Sequence, residues 1–247
     1  MLQRIVSILM LSLLVFGLKA QQGDLSTEEY QRRDAELRML ANRFKQETGF
    51  EGNIQNNPQM MKLSHFTGGF PDLIFPTASD TVQARQVCNQ IVDRILPYLQ
   101  IPEEQLSLES IGGDDRVLRA QYRQRVNGYE IEGAGILRIA YYYSSEQTHI
   151  LNVLVHIDPT PVIPRITEEE ARRIGQNEYK DSQFYTQHTA NYQGRAFILY
   201  CKNPQSLKEN DYNLYWRVGF PGISYYIHSV TGNIDFYNTL VLKDYDY

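Results

Sequence analysis

His156 and Asp158 come nearest, by type and spacing, to an acid–base pair. They are two residues apart at the end of a predicted strand, so their side chains could share one face. A hydrolytic role would also need a nucleophile, and the chain has no G-x-S-x-G element. We therefore interpret the pair as polar residues at a strand end, and we predict no catalytic residue.

Metal ligands are also not indicated by spacing. The five histidines are scattered along the chain, at positions 65, 149, 156, 188 and 228. His149 and His156 are seven residues apart, which places them on opposite faces of a regular strand. Three consecutive acidic residues at 168–170 are typical of the first turn of a helix, where the helix dipole stabilises them. We predict neither a metal site nor a cofactor.

Cys88 and Cys201 are the two cysteines of the chain. If the protein is exported, they could form a disulfide that closes a loop of about 110 residues and contributes a few kcal/mol. The alternative is two separate buried thiols that act as small hydrophobic residues. Cys88 lies in a helical pattern and Cys201 at the end of a predicted strand, so both interpretations remain open.

Tyrosine is abundant, with 18 residues, and it forms clusters on predicted strands. Tyrosine is enriched in protein interfaces, although it also has a high intrinsic preference for strands. The segment 238–247 is partly apolar and could extend into a partner, or it could be a strand edge followed by a frayed end. The candidate partner-interface residues are Tyr141, Tyr143, Tyr225, Leu240, Leu242 and Tyr245.

The first 20 residues have the pattern of a signal peptide. Arg4 precedes an apolar run at 5–16, which is too short to span a bilayer, and Ala20 offers a small residue for cleavage. We expect an exported protein, secreted or periplasmic, without stable membrane insertion. The chain has 24 basic and 29 acidic residues and a net charge of −5, and losing Arg4 and Lys19 makes it −7. A negative charge argues against a nucleic-acid partner.

Three helices are indicated by their caps and apolar stripes. The first begins at Ser26 or Thr27 and ends near Gly49, and the third begins at Thr167 with Glu170 completing a capping box. The second covers 81–96 and is predicted to end at Pro97. Residues 51–75 are predicted to be a turn-rich connector with room for one short hairpin.

Short alternating segments predict the strands. Asn127-Gly128 indicates a type I′ hairpin turn, since both central residues of that turn need a positive φ. The predicted strands are 106–109, 116–126, 129–132, 136–143, 148–157, 195–201, 214–220, 223–229 and 233–237. The prolines at 159, 161 and 164 form a stiff linker.

The order of these elements favours an α+β fold. We predict two consecutive units of a helix and an antiparallel sheet, each sheet covered on one face by its helix, preceded by an N-terminal helix. The predicted segments are a signal peptide at 1–20, the N-terminal helix and connector at 21–79, a first domain at 80–158, the proline linker at 159–165, a second domain at 166–237, and a tail at 238–247.

Residues 80–237 resemble the propeptide of thermolysin-like and fungalysin-like metallopeptidases. That propeptide has a fungalysin/thermolysin propeptide domain followed by a PepSY domain. The matching motifs are QYRQRVNGYEIEGAG at 121–135, PRITEEEA at 164–171, LYWRV at 214–218 and YYIHSVTGNI at 225–234. The family usually has Asp where this chain has His228, and the chain contains no H-E-x-x-H motif of the peptidase itself.

The resemblance implies a prodomain without its enzyme. It predicts an exported, non-enzymatic protein that binds a secreted thermolysin-like metallopeptidase and inhibits it or acts as its chaperone. In that family the segment that matches 238–247 lies near the active-site cleft of the peptidase. One alternative is a general extracytoplasmic binding or structural module with another partner, and a second is an unrecognised enzyme.

Overall fold

In the part of the chain that the structure describes, eleven strands hydrogen-bond into one sheet, and three α-helices pack against it. The computed structural model describes residues 25–77, 79–204, 206 and 211–239. The helices are α1 (Thr27–Thr48), α2 (Thr81–Leu99) and α3 (Glu168–Lys180). The strands are β1 (Glu51–Asn57), β2 (Lys62–Gly69), β3 (Leu106–Gly113), β4 (Val117–Val126), β5 (Tyr129–Ile131), β6 (Ile136–Tyr142), β7 (Gln147–Asn152), β8 (Arg195–Lys202), β9 (Tyr212–Phe220), β10 (Ile223–His228) and β11 (Ile234–Thr239).

The strand order is β1-β2-β7-β6-β4-β5-β8-β9-β10-β11. Strand β3 is outside this order and pairs with β4, on the edge opposite β6. All of these pairs are antiparallel except β5 with β8. We call β1, β2, β7, β6, β4 and β3 the first section, and β5 with β8 to β11 the second section. The α+β class with mostly antiparallel strands is confirmed. The strands of the two predicted units are joined in a single sheet through the parallel β5–β8 pair.

Helix α1 packs on the first section together with α2. The side chain of Ser26 accepts a hydrogen bond from the Glu29 N–H, and Gly49 ends the helix with φ of 71°. Leu37, Ala41 and Phe44 form its buried stripe, and they share one core with α2 and with the inner face of the sheet. Helix α3 packs on the second section in a separate core, and a third apolar cluster lies where the sections meet.

Several boundaries differ from the sequence prediction, most clearly the ends of α2, β3 and β7. Helix α2 continues through Pro97 to Leu99 rather than ending at 96, because Leu96 and Tyr98 are buried in the core and their packing offsets the hydrogen bond that proline removes. Strand β7 ends at Asn152 rather than at 157. Beyond it, the side-chain amide of Gln124 accepts from the Val155 N–H and donates to the Val155 carbonyl, in place of a neighbouring strand.

The turns and helix caps form at the positions that the sequence predicts. The connector at 51–75 contains the β1–β2 hairpin. Asn127 and Gly128 have φ of 52° and 83°, which confirms the type I′ turn between β4 and β5. The capping box is also present, with Thr167 and Glu170 each accepting a hydrogen bond from the backbone N–H of the other.

Candidate binding face

The side of the first section that faces away from α1 and α2 is exposed to solvent. Inward side chains such as Phe66, Tyr122, Ile139 and Ile150 belong to the core, so their neighbours along each strand point outward. We call this surface the outer face. Its central residues are Asn53, Gln55, His65, Thr67, Arg119, Gln121, Arg123, Arg138, Ala140, Tyr142, His149 and Leu151.

The strand register arranges the outer face into two rows that run across the strands. One row is Gln121, Arg138, Leu151, His65 and Gln55, from β4 to β1. The next row is Arg119, Ala140, His149, Thr67 and Asn53. Directly paired side chains in such rows are about 5 Å apart at Cβ, so each row forms a continuous surface.

Arginines dominate the β4 side of the outer face. Arg123 pairs with Glu109, at 3.1 Å between Nη2 and Oε2. Gln121 accepts from Arg138 Nε at 2.7 Å and donates to Glu109 at 2.6 Å. Arg119 and Arg138 form no ion pair with any residue in the described part of the chain. This face therefore carries a local positive charge on a protein whose net charge is −5.

The β7 side of the outer face carries aromatic, imidazole and apolar groups. The rings of His65 and His149 have centroids 5.7 Å apart, and the Tyr142 ring lies 5.0 Å from that of His149. Tyr142 is 40% exposed and Leu151 is 39% exposed. Burial, followed by the charge on His149, lowers the pKa of His65 below its ordinary value. His65 therefore remains neutral at neutral pH.

Tyr141 and Tyr143, two of the predicted interface residues, point inward. The Tyr141 ring stacks on Phe75 with centroids 3.8 Å apart and contacts Tyr143 edge-on. The Tyr143 hydroxyl donates to the carbonyl of Pro76 at 2.7 Å. Their inward orientation follows from the alternation of β6, since Leu137 and Ile139 also point into the core. The exposed residue of this cluster is Tyr142, which is not among the predicted interface residues.

Tyr225 is also a correction to the predicted interface. It is only 2% exposed, because it lies in the core under α3 with Phe220 and Tyr237 as aromatic neighbours. A ring buried in this way offers no surface to a partner. The other three candidates, Leu240, Leu242 and Tyr245, lie outside the described residues.

Cys88 and Cys201 are free thiols in the structure, so the candidate disulfide is not formed there. Cys88 lies in the core between α2 and the first section, whereas Cys201 lies on β8 in the second section. Burial raises the pKa of the Cys88 thiol to about 12. Burial and then the Glu132 charge raise the pKa of the Cys201 thiol to about 12. Both thiols stay protonated at neutral pH, unlike a reactive cysteine.

A polar cluster around Glu132 joins the end of β5 to the second section. Glu132 Oε1 accepts from Arg217 Nη1 and from the Tyr226 hydroxyl, each at 2.9 Å. Burial and then the charge of Glu132 raise the pKa of Tyr226. A neutral phenol held by a carboxylate is suited to a structural hydrogen bond rather than to proton transfer near neutral pH.

His156 and Asp158 do not form a catalytic arrangement. The carboxylate of Asp158 accepts from the N–H and hydroxyl of Thr160, and these hydrogen bonds lower its pKa, with His156 contributing least. Asp158 therefore stabilises a turn, as an aspartate in an Asx-turn does.

A cleft of about 510 Å³ lies beside β3. Its lining residues are Thr77, Ser79, Gly113, Asp114, Asp115 and Tyr143. Asp114 accepts from the N–H groups of Arg116 and Val117, and these bonds lower its pKa. Burial raises the pKa of Tyr143. The cleft thus pairs an ionised carboxylate with a neutral phenol at neutral pH.

Two further findings concern the described residues as a whole. They contain no group of three or more His, Cys, Asp or Glu side chains that could hold a metal ion. None of the helices in this part of the chain combines the length and the apolar character that crossing a membrane would require.

Comparisons with known proteins leave the family open. No protein-family model matches the chain, and no curated protein matches its sequence. Among solved structures, the chain is similar to the YpeB C-terminal domain of Bacillus megaterium, with a TM-score of 0.31 and 12% identity over 87% of this chain and 98% of that one. A similarity at this level carries no argument about fold or function, so the propeptide resemblance stays a prediction.

Proposed function

We propose that this chain is an exported, non-enzymatic protein that binds a secreted thermolysin-like metallopeptidase, and that it inhibits the peptidase or assists its folding. The observation that carries the binding role is the outer face, which presents Arg119, Arg123 and Arg138 beside the exposed Tyr142. Arginine and tyrosine are the residue types most enriched where protein interfaces gain their binding energy.

The arginines of the outer face are partly ordered before any partner binds. Gln121 holds Arg138, and Glu109 holds Arg123, so binding loses less side-chain entropy than it would with free arginines. The guanidinium of Arg119 is left to pair with a carboxylate of the partner. We therefore expect the complementary surface to be acidic, with association that slows as salt is added.

The partner class is supported by the motif resemblance alone. The segment 121–135 supplies the second half of β4, whose outward residues include Gln121 and Arg123, together with the type I′ turn and β5. On this proposal, residues 80–158 correspond to the fungalysin/thermolysin propeptide domain and residues 166–237 to the PepSY domain. Residues 238–247 would then lie near the peptidase cleft, as in that family.

The test measures inhibition and its dependence on the outer face. The protein from Gln21 onward is mixed at micromolar concentration with thermolysin-like peptidases, and residual activity and refolding yield are measured. The double variant Arg119→Gln/Arg138→Gln should weaken the effect by about tenfold or more. Arg173→Gln is the control, because it removes one charge from an exposed position of α3, outside the outer face. It should leave the effect unchanged. No effect on any such peptidase would overturn the peptidase role.

A general extracytoplasmic binding module is the second candidate, and the outer face supports it equally. A pull-down from the secreted or envelope fraction with the wild-type protein and the double variant separates the two. Capture of a partner other than a peptidase, lost in the double variant, would favour the general module. The enzyme alternative would need a group in a pocket whose pKa lies near neutrality. Neither cysteine thiol meets this requirement, because burial raises the pKa of Cys88 and of Cys201 to about 12.

A further inference from the structure

We infer that His65 and His149 form a two-histidine site for a divalent transition-metal ion such as Zn²⁺ on the outer face. The two residues are 84 positions apart in sequence and lie on the paired strands β2 and β7. The inference is independent of the proposed function, because it concerns the protein alone.

The spacing of the two rings fits a shared metal ion. His149 pairs with Thr67, and His65 pairs with Leu151, so the two histidines are diagonal neighbours on one face. Two imidazoles bound to a tetrahedral Zn²⁺ at about 2.0–2.1 Å have ring centres roughly 5 to 6 Å apart. The observed separation of the centroids is 5.7 Å. The inferred site therefore needs only side-chain rotation that aims one nitrogen of each ring at a common point.

The ring nitrogens of both residues are available for this role. None of them makes a hydrogen bond to a residue in the described part of the chain. His228 provides the contrast, because its Nδ1 accepts from the N–H groups of Val230 and Thr231 and is committed to the turn. A histidine whose nitrogens make no hydrogen bond and whose ring lies beside a second imidazole is suited to bind a metal.

The site would be open, with two ligands from this chain. No third His, Cys, Asp or Glu completes a metal-binding group among the described residues. Water, or a donor atom of a bound partner, would fill the remaining positions, as in zinc sites that keep an open position. An open site exchanges its metal readily, so we expect micromolar affinity rather than the tight binding of a closed structural site. Imidazole ligands also favour Cu²⁺ over Zn²⁺ and discriminate against Mg²⁺.

Titration of the untagged protein with metal ions tests the inference. Calorimetry should show one Zn²⁺ bound per chain, tighter binding of Cu²⁺, and no binding of Mg²⁺. His65→Gln and His149→Gln should each weaken Zn²⁺ binding by about tenfold or more. His188→Gln, which changes an exposed histidine in a turn, is the control and should bind like the wild type.

A spectroscopic measurement on the wild type keeps the test independent of variant folding. Substoichiometric Zn²⁺ should shift the ring resonances of His65 and His149 together in NMR spectra, while those of His156, His188 and His228 stay in place. Absence of Zn²⁺ binding at micromolar concentrations would overturn the inference. So would Zn²⁺ binding that survives both His65→Gln and His149→Gln, or shifts confined to the other histidines.

Discussion

Phe44→Ala should lower the free energy of unfolding by about 4 kcal/mol. The Phe44 side chain is fully buried on the inner face of α1. Its ring contacts those of Phe50, Phe66, Phe70 and Tyr98, with centroids 5.5, 5.4, 6.3 and 5.0 Å away. These neighbours come from α2, from β2 and from the segments that flank β1 and β2, so Phe44 joins α1 to the rest of the first section.

The magnitude follows from burial and from the number of aromatic contacts. Truncating a buried phenylalanine to alanine costs about 3–5 kcal/mol, with larger values where the surroundings cannot collapse into the space. Each aromatic pair adds about 0.5–1.5 kcal/mol beyond the buried area. With four such neighbours held from different sides by the sheet and by α2, little collapse is possible, and the upper half of the range is expected.

Urea unfolding followed by far-ultraviolet circular dichroism provides the measurement. Phe197→Ala is the control, because that ring is 59% exposed on β8, and its loss should cost less than about 1 kcal/mol. The slope of the unfolding free energy against urea concentration should be unchanged in both variants. A loss of less than about 2 kcal/mol for Phe44→Ala would refute the reasoning, since it would mean that α1 does not contribute to the core of the first section.

Three further predictions concern polar groups. Glu132→Ala leaves the Arg217 guanidinium and the Tyr226 hydroxyl without their acceptor and should cost about 2 kcal/mol in urea unfolding. Its cost and that of Tyr226→Phe should be non-additive by about 1 kcal/mol, and simple additivity would contradict the hydrogen bond. Burial lowers the pKa of Lys62 from 10.5 to about 8, so the unfolded chain holds that proton more tightly than the folded protein does. This group should therefore make the free energy of unfolding rise as the pH increases from about 8 to 10.5. Lys62→Met should abolish that rise in the pH dependence of unfolding, and a stability difference from the wild type that is constant with pH would refute it. Thr167→Ala removes one half of the capping box and should cost about 1 kcal/mol in thermal unfolding, and an unchanged midpoint would show that the cap contributes nothing.

Features that depend on a few neighbouring residues could be predicted from the sequence. The cap at Ser26, the capping box at Thr167, and the turn at Asn127-Gly128 all form as expected. Each requires only that a side chain reach a backbone group within three residues, or that two residues adopt a positive φ. The same locality explains why the α+β class and the short β1–β2 hairpin could be anticipated.

Features that depend on distant pairing could not be predicted. The β5–β8 pair joins segments about 70 residues apart, and it merges two expected sheets into one. The orientation of Tyr141 depended on which alternate residues of β6 meet the core, and that choice is made by α2 and by Phe75. Pro97 was a misleading signal, because its effect depends on its position relative to a helix end that tertiary packing sets.

The composition of the outer face depends on the register of the strands rather than on the spacing of its residues in the sequence. Arg138 pairs with Leu151, and Leu151 pairs with His65, so a charged group, an apolar group and an imidazole become neighbours although three separate strands supply them. A shift of one residue in the β6–β7 register would send Arg138 and Leu151 to opposite faces, so the arginines and the histidines would no longer share a surface. Because the two cross-strand rows are continuous, a partner seated on the arginines would also cover Leu151 and approach the two histidines. The proposed docking surface and the inferred metal site are therefore adjacent, and a donor side chain of a bound partner would lie within reach of the open positions of the metal.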